Sequence, residues 1–371
     1  MLQRIYINNF RCFVNFTLEL KPKQVIVGDN GSGKTTLFEV LSLLQRFAID
    51  GDRAGDLFPS TIATRWFHTD DQRFVLDVQL PDGLFQYQLR LNRKPLAEPE
   101  VMEEWVTVNN KPLFVFSNEQ VQLYNDQHEE GAKYPFDWHR SALATIAERS
   151  DNRKLTAFKT FLSRVLCIQI DPRAMPALAE TEARALNRYG QNFAAWYRHA
   201  QAEDASATIE LHEDLRKVLR GFDSIVLKSM GENRRLLSVR FVIQPQGGAS
   251  RTAEFSFGEL SDGQRALIVL YAVLRFAIQR GQTVCIDEPD NYLALSEIEP
   301  WLMSVLDAVD NGGGQVVIVT HHPEIIDRTA LEMGIELTRN GLEPVRAMPF
   351  QQPEDSHLTP SERMARGWTG E

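Results

Sequence analysis

Nine consecutive residues, Gly28-Asp29-Asn30-Gly31-Ser32-Gly33-Lys34-Thr35-Thr36, have the types and spacing needed to hold a polyphosphate. They fit the pattern of a glycine, four residues and Gly-Lys-Ser/Thr, with Gly28, Gly33, Lys34 and Thr35 at the fixed positions. Glycines at 28, 31 and 33 permit positive φ and close backbone approach, so successive N–H groups can turn inward as an anion-binding nest. A lysine at 34 then reaches the β- and γ-phosphates, and the Thr35 hydroxyl ligates Mg2+. Asn30, Ser32 and Thr36 complete the candidate nucleotide contacts of the loop. The apolar run Gln24-Val25-Ile26-Val27 before it and the helical apolar spacing of Thr36 to Leu44 after it predict strand, loop and helix, the helix N-terminus facing the phosphates.

A second constellation lies far along the chain. Thr283-Val284-Cys285-Ile286-Asp287-Glu288-Pro289 is an apolar strand ending in two carboxylates. Asp287 can hold Mg2+ and Glu288 can orient and polarise an attacking water, which gives two adjacent acids a use that offsets the cost of burying them. Glu259-Leu260-Ser261-Asp262-Gly263-Gln264-Arg265 precedes a long helix pattern, so Ser261, Gly263 and Gln264 fall at a helix N-terminus, a second place for an anion. A serine N-cap is the plainer explanation of that turn. A chain with one phosphate loop needs no second phosphate site of its own, so the functional alternative is a head-to-tail dimer in which this turn closes on the nucleotide of the partner.

The elements that must position these residues follow from apolar periodicity. Residues 2–9 and 14–20 predict two strands around the corner Asn9-Phe10-Arg11-Cys12-Phe13, where Arg11 is either a phosphate or base contact or a solvated turn residue. Runs at 73–80, 85–91, 105–108 and 113–116, separated by turns that include Pro81-Asp82-Gly83 and Lys94-Pro95, predict an antiparallel β subdomain, and 118–135 a surface loop. Helical spacing at 154–167, 177–186, 192–200 and 209–219 predicts an inserted helical lobe rich in Arg140, Arg149, Arg153, Lys154, Lys159, Arg164, Arg184, Arg188 and Arg198. That basic surface is either a DNA or RNA face or a solvated one. Sheet returns at 224–244, and 264–279, 283–286, 298–309 and 315–319 alternate helix and strand.

The expected fold class is therefore α/β, with segments 1–135 and 223–345 as two halves of one head, 136–222 as the helical lobe and 346–371 as a polar tail. With 371 residues, 43% hydrophobic, 24% charged and a formal net charge of −10, the chain has an ordinary globular composition and no global electrostatic footprint for nucleic acid. Three scattered cysteines, Cys12, Cys167 and Cys285, argue against a disulfide framework and for a reducing compartment. Without 18 uninterrupted apolar residues or a signal-like N-terminus, a cytoplasmic protein with no membrane partner is expected.

Taken together, Gly28 to Thr35, Leu260-Ser261-Asp262-Gly263-Gln264, Ile286-Asp287-Glu288-Pro289 and Thr320-His321 stand in the order of the P-loop, signature, Walker B and switch-histidine motifs of ABC-type ATPases. The chain resembles the compact branch with RecF, Rad50 and SMC heads and the OLD-like ATPases, through Asn9 to Phe13, the Leu-Ser-Asp-Gly signature, Asp-Glu-Pro-Asp-Asn at 287–291 and Thr-His-His-Pro at 320–323. The resemblance covers 1–45 and 250–330. It implies nucleotide contact by Arg11, phosphate contact by Lys34, Mg2+ at Thr35 and Asp287, and γ-phosphate contacts across a dimer from Ser261 and Gly263. It further implies Glu288 as catalytic base, His321 as γ-phosphate sensor, and Asp290 with Asn291 as a dimer-crossing D-loop. Two departures stand out: His322 where related chains often have serine, and Tyr292-Leu293-Ala294-Leu295 where Leu-His-Pro is usual. The Q-loop glutamine stays open among Gln120, Gln122 and Gln169.

The implied activity is Mg2+-dependent ATP hydrolysis in a sandwich homodimer or higher even oligomer. Its output is either control of a separately encoded effector such as a nuclease in anti-phage defence, or a RecF-like role on DNA. No nuclease domain is recognisable after residue 330, and the polar end from Ser361 to Trp368 suits docking. A transporter subunit is disfavoured by the long stretch between Thr35 and Leu260.

Overall fold

The computed structural model describes residues 1–93, 98–243, 251–352 and 357–366. The expected turn at Lys94-Pro95 and the chain end with Gly367 and Trp368 lie outside the described residues. The chain forms two compact units, Met1–Val165 with Ile326–Glu371, and Leu166–Ile325. The boundaries at 165/166 and 325/326 fall inside the segments 136–222 and 223–345.

The first unit is built on an eight-stranded antiparallel sheet. Its order is Phe16–Glu19, Leu2–Asn8, Asp71–Leu80, Gly83–Asn92, Glu100–Val108, Lys111–Ser117, Gln120–Tyr124 and Glu130–Pro135. Alternation sets the register: Ile5 opposes Leu18 and Leu76, and Ile7 opposes Phe16 and Phe74, all of them buried. The helix Arg153–Ser163 buries Leu155, Phe158 and Leu162, and the Phe158 ring stacks 6.2 Å from that of Phe85.

The loop expected at 118–135 is instead two further strands of this sheet. Val121 is the only fully buried side chain of the pair, so no apolar alternation marks them. Their turns are made by residues with positive φ, Asn118 and Glu119 in one and His128 in the other.

Also in this unit, the strand Lys23–Val27 runs parallel to Gly334–Thr338, which pairs antiparallel with Arg346–Pro349. Gln24 through Val27 are buried without a break, as in a strand covered on both faces. Residues 346–349 are thus sheet and not tail, and Phe350 is buried beyond them. The short helix Pro360–Ala365 is capped by Thr359 and Glu362, and its Ser361 bonds Asp327 through N at 2.7 Å and Oγ at 2.9 Å. Phe350, a lone apolar anchor in a polar stretch, gave the sequence no period to show.

The second unit holds three parallel strands, Leu166–Ile168, Thr283–Asp287 and Gln315–Val319, in that order. Helix Asp262–Phe276 is buried continuously from Ala266 to Leu274, a helix apolar on all sides and therefore enclosed. Helix Leu295–Asp310 packs on it, with Trp301 Nε1 donating to Leu270 O at 3.0 Å. Phe222–Ser229, Arg235–Ile243 and Arg251–Ser256 form an antiparallel sheet, and helices Phe193–Glu203 and Ala205–Val218 precede it.

The helix expected at 177–186 does not form. Leu178 and Ala179 instead pair with Leu236 and Arg235, and the following residues are irregular. Helical spacing there coincided with a short sheet pairing whose partner lies nearly sixty residues away. The α/β class, the antiparallel subdomain and helices near 192–200 and 209–219 are as the sequence predicts, at Phe193–Glu203 and Ala205–Val218. The helix expected at 154–167 ends at Ser163, because Leu166–Ile168 pairs as a strand with Thr283–Asp287.

Candidate nucleotide-binding site

In the first unit, strand Lys23–Val27 delivers the chain to the loop and helix Lys34–Gln45 leaves it. Gly28 has φ +142°, and a Cβ there would stand 2.2 Å from Leu337 O, so the neighbouring strand's backbone excludes every side chain. Gly33, at φ +99°, is the N-cap of the helix, and a Cβ on it would meet Cys12 Sγ at 2.9 Å. Asn30, Gly31 and Thr35 are exposed on the loop, Thr36 is half-buried, and Ser32 is buried. Lys34 is buried too, its Nζ donating to Gly28 O at 2.7 Å and Asp29 O at 2.9 Å.

The loop's fit to a phosphate rests on Ser32. Its Oγ is buried with no protein partner, a polar atom that ordinarily costs stability unless something satisfies it. Together with three positive-φ glycines, this hydroxyl suits an anion bound in the loop.

The corner before the loop is pinned to it. Phe10 and Phe13 bridge and are fully buried. Asn9, at φ +61°, donates through Nδ2 to Thr69 O and Asp71 O and accepts from Thr64 N at 3.1 Å. Arg11 is thereby held at φ +49° with its N–H on Ile62 O, and its guanidinium pairs with Glu39 of the loop's helix at 2.5 Å. Sequence alone did not pair Arg11 with Glu39, although the helical pattern put Glu39 one turn into that helix.

In the second unit, the buried strand Thr283–Asp287 carries Asp287 to its C-terminal end, where it is 1% exposed. The parallel ladder continues one step, Glu288 N donating to Val319 O at 2.8 Å. Glu288 then takes φ +51°, an uncommon conformation for a residue with a Cβ. Asn291 Nδ2 donates to Glu288 Oε2 at 2.8 Å. Asp290 Oδ1 accepts from Thr320 Oγ1 at 2.7 Å, and that same hydroxyl accepts from His322 N at 2.9 Å. The Asp-Glu-Pro-Asp-Asn loop and the Thr-His-His turn are thus joined through Thr320, and His321 is exposed beside it.

Ser261 caps helix Asp262–Phe276. Its Oγ accepts from Gln264 N at 3.2 Å, and Gln264 Oε1 accepts from Ser261 N at 3.1 Å. The capping explanation of Ser261 is therefore met. Gly263 lies against the other loop: a Cβ on it would stand 2.9 Å from Tyr292 O. Arg173, which sequence reasoning did not single out, pairs with Asp262 across 89 residues, a separation no local pattern reveals.

The remaining candidates separate by position. Gln120 and Gln122 lie on the strand Gln120–Tyr124 of the eight-stranded sheet, and Gln169 follows strand Leu166–Ile168. Many of the basic residues are engaged: Arg149 with Asp151, Lys154 with Asp126 O, Lys159 with Ile146 O, Arg140 with Gly51 O and Arg198 with Glu182. Cys167 and Cys285 stand in register on neighbouring strands, and the adjacent thiol and burial push Cys285 well up. No helix among the described residues is long and apolar enough to cross a membrane.

Over 94 residues the chain is 37% identical to the DNA replication and repair protein RecF of Actinobacillus pleuropneumoniae, a match covering 25% of this chain and 24% of RecF. The chain thus spans about a quarter of the length of the RecF relatives it matches. Across 355 residues it is 24% identical to an ATP/GTP phosphatase of Helicobacter pylori, covering 88% of this chain and 87% of that protein. In fold it is similar to the Smc head domain of Pyrococcus furiosus with an extended coiled coil, solved bound to the C-terminal domain of ScpA. The TM-score is 0.51 at 10% identity, covering 99% of this chain and 98% of that one. A family model described as "AAA domain, putative AbiEii toxin, Type IV TA system" matches residues 25–327, and with most of its length inside that match the chain belongs to this family of P-loop ATPase domains.

Proposed function

We propose that the chain hydrolyses ATP with Mg2+ in a head-to-tail dimer, and that hydrolysis switches a separately encoded effector on or off. The observation that carries the ATP reading is the buried, unpartnered Ser32 hydroxyl within a loop whose glycines tolerate no side chain at 28 and 33. Lys34 and the loop N–H groups would hold the phosphates, and Thr35 and Asp287 would be the residues to hold Mg2+, which when bound supplies neutralising positive charge. Glu288 accepts the proton of the attacking water, its carboxylate oriented by Asn291.

In this reading Ser261 and Gly263 of one subunit contact the γ-phosphate held by the other, with Gln264 alongside and Asp290 and His321 at the same junction. Positioned donors of this kind are each worth on the order of 10²–10³ in rate. What supports this reading is the position of Ser261 and Gly263 at the N-terminus of helix Asp262–Phe276.

The effector reading draws support from the family's description, which names a toxin–antitoxin system. A second reading, a RecF-like ATPase acting on DNA, is supported by the 37% identity to RecF. ATP turnover of the wild type with and without duplex and single-stranded DNA separates them. Stimulation by DNA favours the second, and turnover indifferent to DNA but altered by the product of a neighbouring gene favours the first. The absence of any turnover contradicts both.

A further inference from the structure

Arg173 sits on the single turn Pro172–Ala174, where the Asp171 side chain accepts from its N–H at 3.1 Å and holds the turn in place. From there its Nε donates to Asp262 Oδ2 at 3.0 Å. The other oxygen of Asp262 takes Arg265 at 2.5 Å, so this carboxylate is gripped from two sides, and its pairing with Arg173 holds it below its usual range. Asp262 is the first residue of the helix capped by Ser261.

The same guanidinium lies 5.7 Å from the ring centroid of Tyr292. Tyr292 follows Asn291 and is held at φ +73°, a strained conformation for a bulky residue. Its carbonyl is the atom that a Cβ on Gly263 would strike. Arg173 therefore spans by charge and stacking the contact that Gly263 makes by close backbone approach.

Stability does not explain the arrangement. The Arg173 side chain is 73% exposed, and an exposed ion pair adds little to folding stability. What Arg173 fixes is geometry. From this the geometry points to Arg173 as a positioning residue that locks the turn Ser261–Gln264 to the loop Asp290–Leu293, so that the γ-phosphate contacts and the groups around Glu288 move as one piece. This rests on the ATPase reading above. It also gives the departure Tyr292 a use, since a guanidinium stacks on an aromatic ring and a lysine ammonium substitutes poorly for it there.

The test uses the full chain as wild type, Arg173→Ala and Arg173→Lys. Hydrogen–deuterium exchange over 260–265 and 288–295 is read without nucleotide, beside thermal melts and steady-state ATP turnover. Arg173→Ala should raise exchange in both segments together and shift Tm by no more than about 2–3 °C for so weak a pair. It should lower kcat by roughly ten- to a hundredfold with KM unchanged, the range expected of a misplacement near 1 Å. Arg173→Lys should fall between the two. Unchanged exchange over 288–295 in Arg173→Ala overturns the inference, as does a turnover loss that merely follows lost thermal stability. A wild type without turnover contradicts the ATPase reading, and the exchange experiment still decides the role of Arg173.

Discussion

Asn291 Nδ2 donates to Glu288 Oε2 at 2.8 Å while Glu288 itself is held at φ +51°, so the proposed base is fixed at both its backbone and its carboxylate. An amide three residues along the same loop does the orienting. In the proposed mechanism the other oxygen, Oε1, takes the water.

Asn291→Ala removes that orientation without removing the acid. Turnover should fall by about tenfold, roughly 1.4 kcal/mol, with KM for ATP unchanged because the phosphate loop is intact. Steady-state kinetics checks this, and a rise in KM at constant kcat would move Asn291 from orienting the base to binding.

Two glycines of the loop should behave differently. Gly28→Ala drives a methyl into Leu337 O at a position of φ +142°, so it should cost several kcal/mol and lower Tm or abolish folding. Gly31→Ala, with φ +81° and nothing within 4 Å of the new Cβ, should cost only about 1–2 kcal/mol. Denaturant titration of both variants measures the gap.

Glu104 gives a pH dependence of known sign. It is fully buried in the eight-stranded sheet, accepting from Ser141 Oγ at 2.5 Å and Tyr87 Oη at 3.1 Å, and burial pushes its carboxyl from 4.5 up to about 7. The folded state holds the proton that the unfolded state releases. Stability is therefore full below 4.5 and declines as pH rises to about 7, by roughly 3 kcal/mol. His212 works in the opposite direction. Burial lowers it to about 4, so its share of stability is lost as pH falls from 6.5. The clean observable is the difference between wild type and Glu104→Gln in unfolding free energy at pH 5 and pH 8, which should shrink that decline.

How far the sequence reached depended on whether a signal was local. The phosphate loop was legible because its glycines answer to backbone sterics at fixed spacing, which the φ values of Gly28, Gly31 and Gly33 bear out. The cap at Ser261 was legible for the same reason, through Gln264 three residues on. Arg173 was not, because Asp262 and Tyr292 are brought to it by the fold. Neither were the strands Gln120–Tyr124 and Glu130–Pro135, whose exposed side chains carry no period, nor the pairing of Leu178 and Ala179 with Leu236 and Arg235.

In the proposed dimer, two copies of the chain share the nucleotide and Glu288 drives its hydrolysis. Light scattering of Glu288→Gln with ATP and Mg2+, beside ATP turnover of the wild type, tests it most directly. Slow turnover by the wild type is expected, with a stable dimer of Glu288→Gln that forms with ATP and lacks turnover. A variant that stays monomeric at saturating ATP, or that hydrolyses ATP as fast as the wild type, would contradict it.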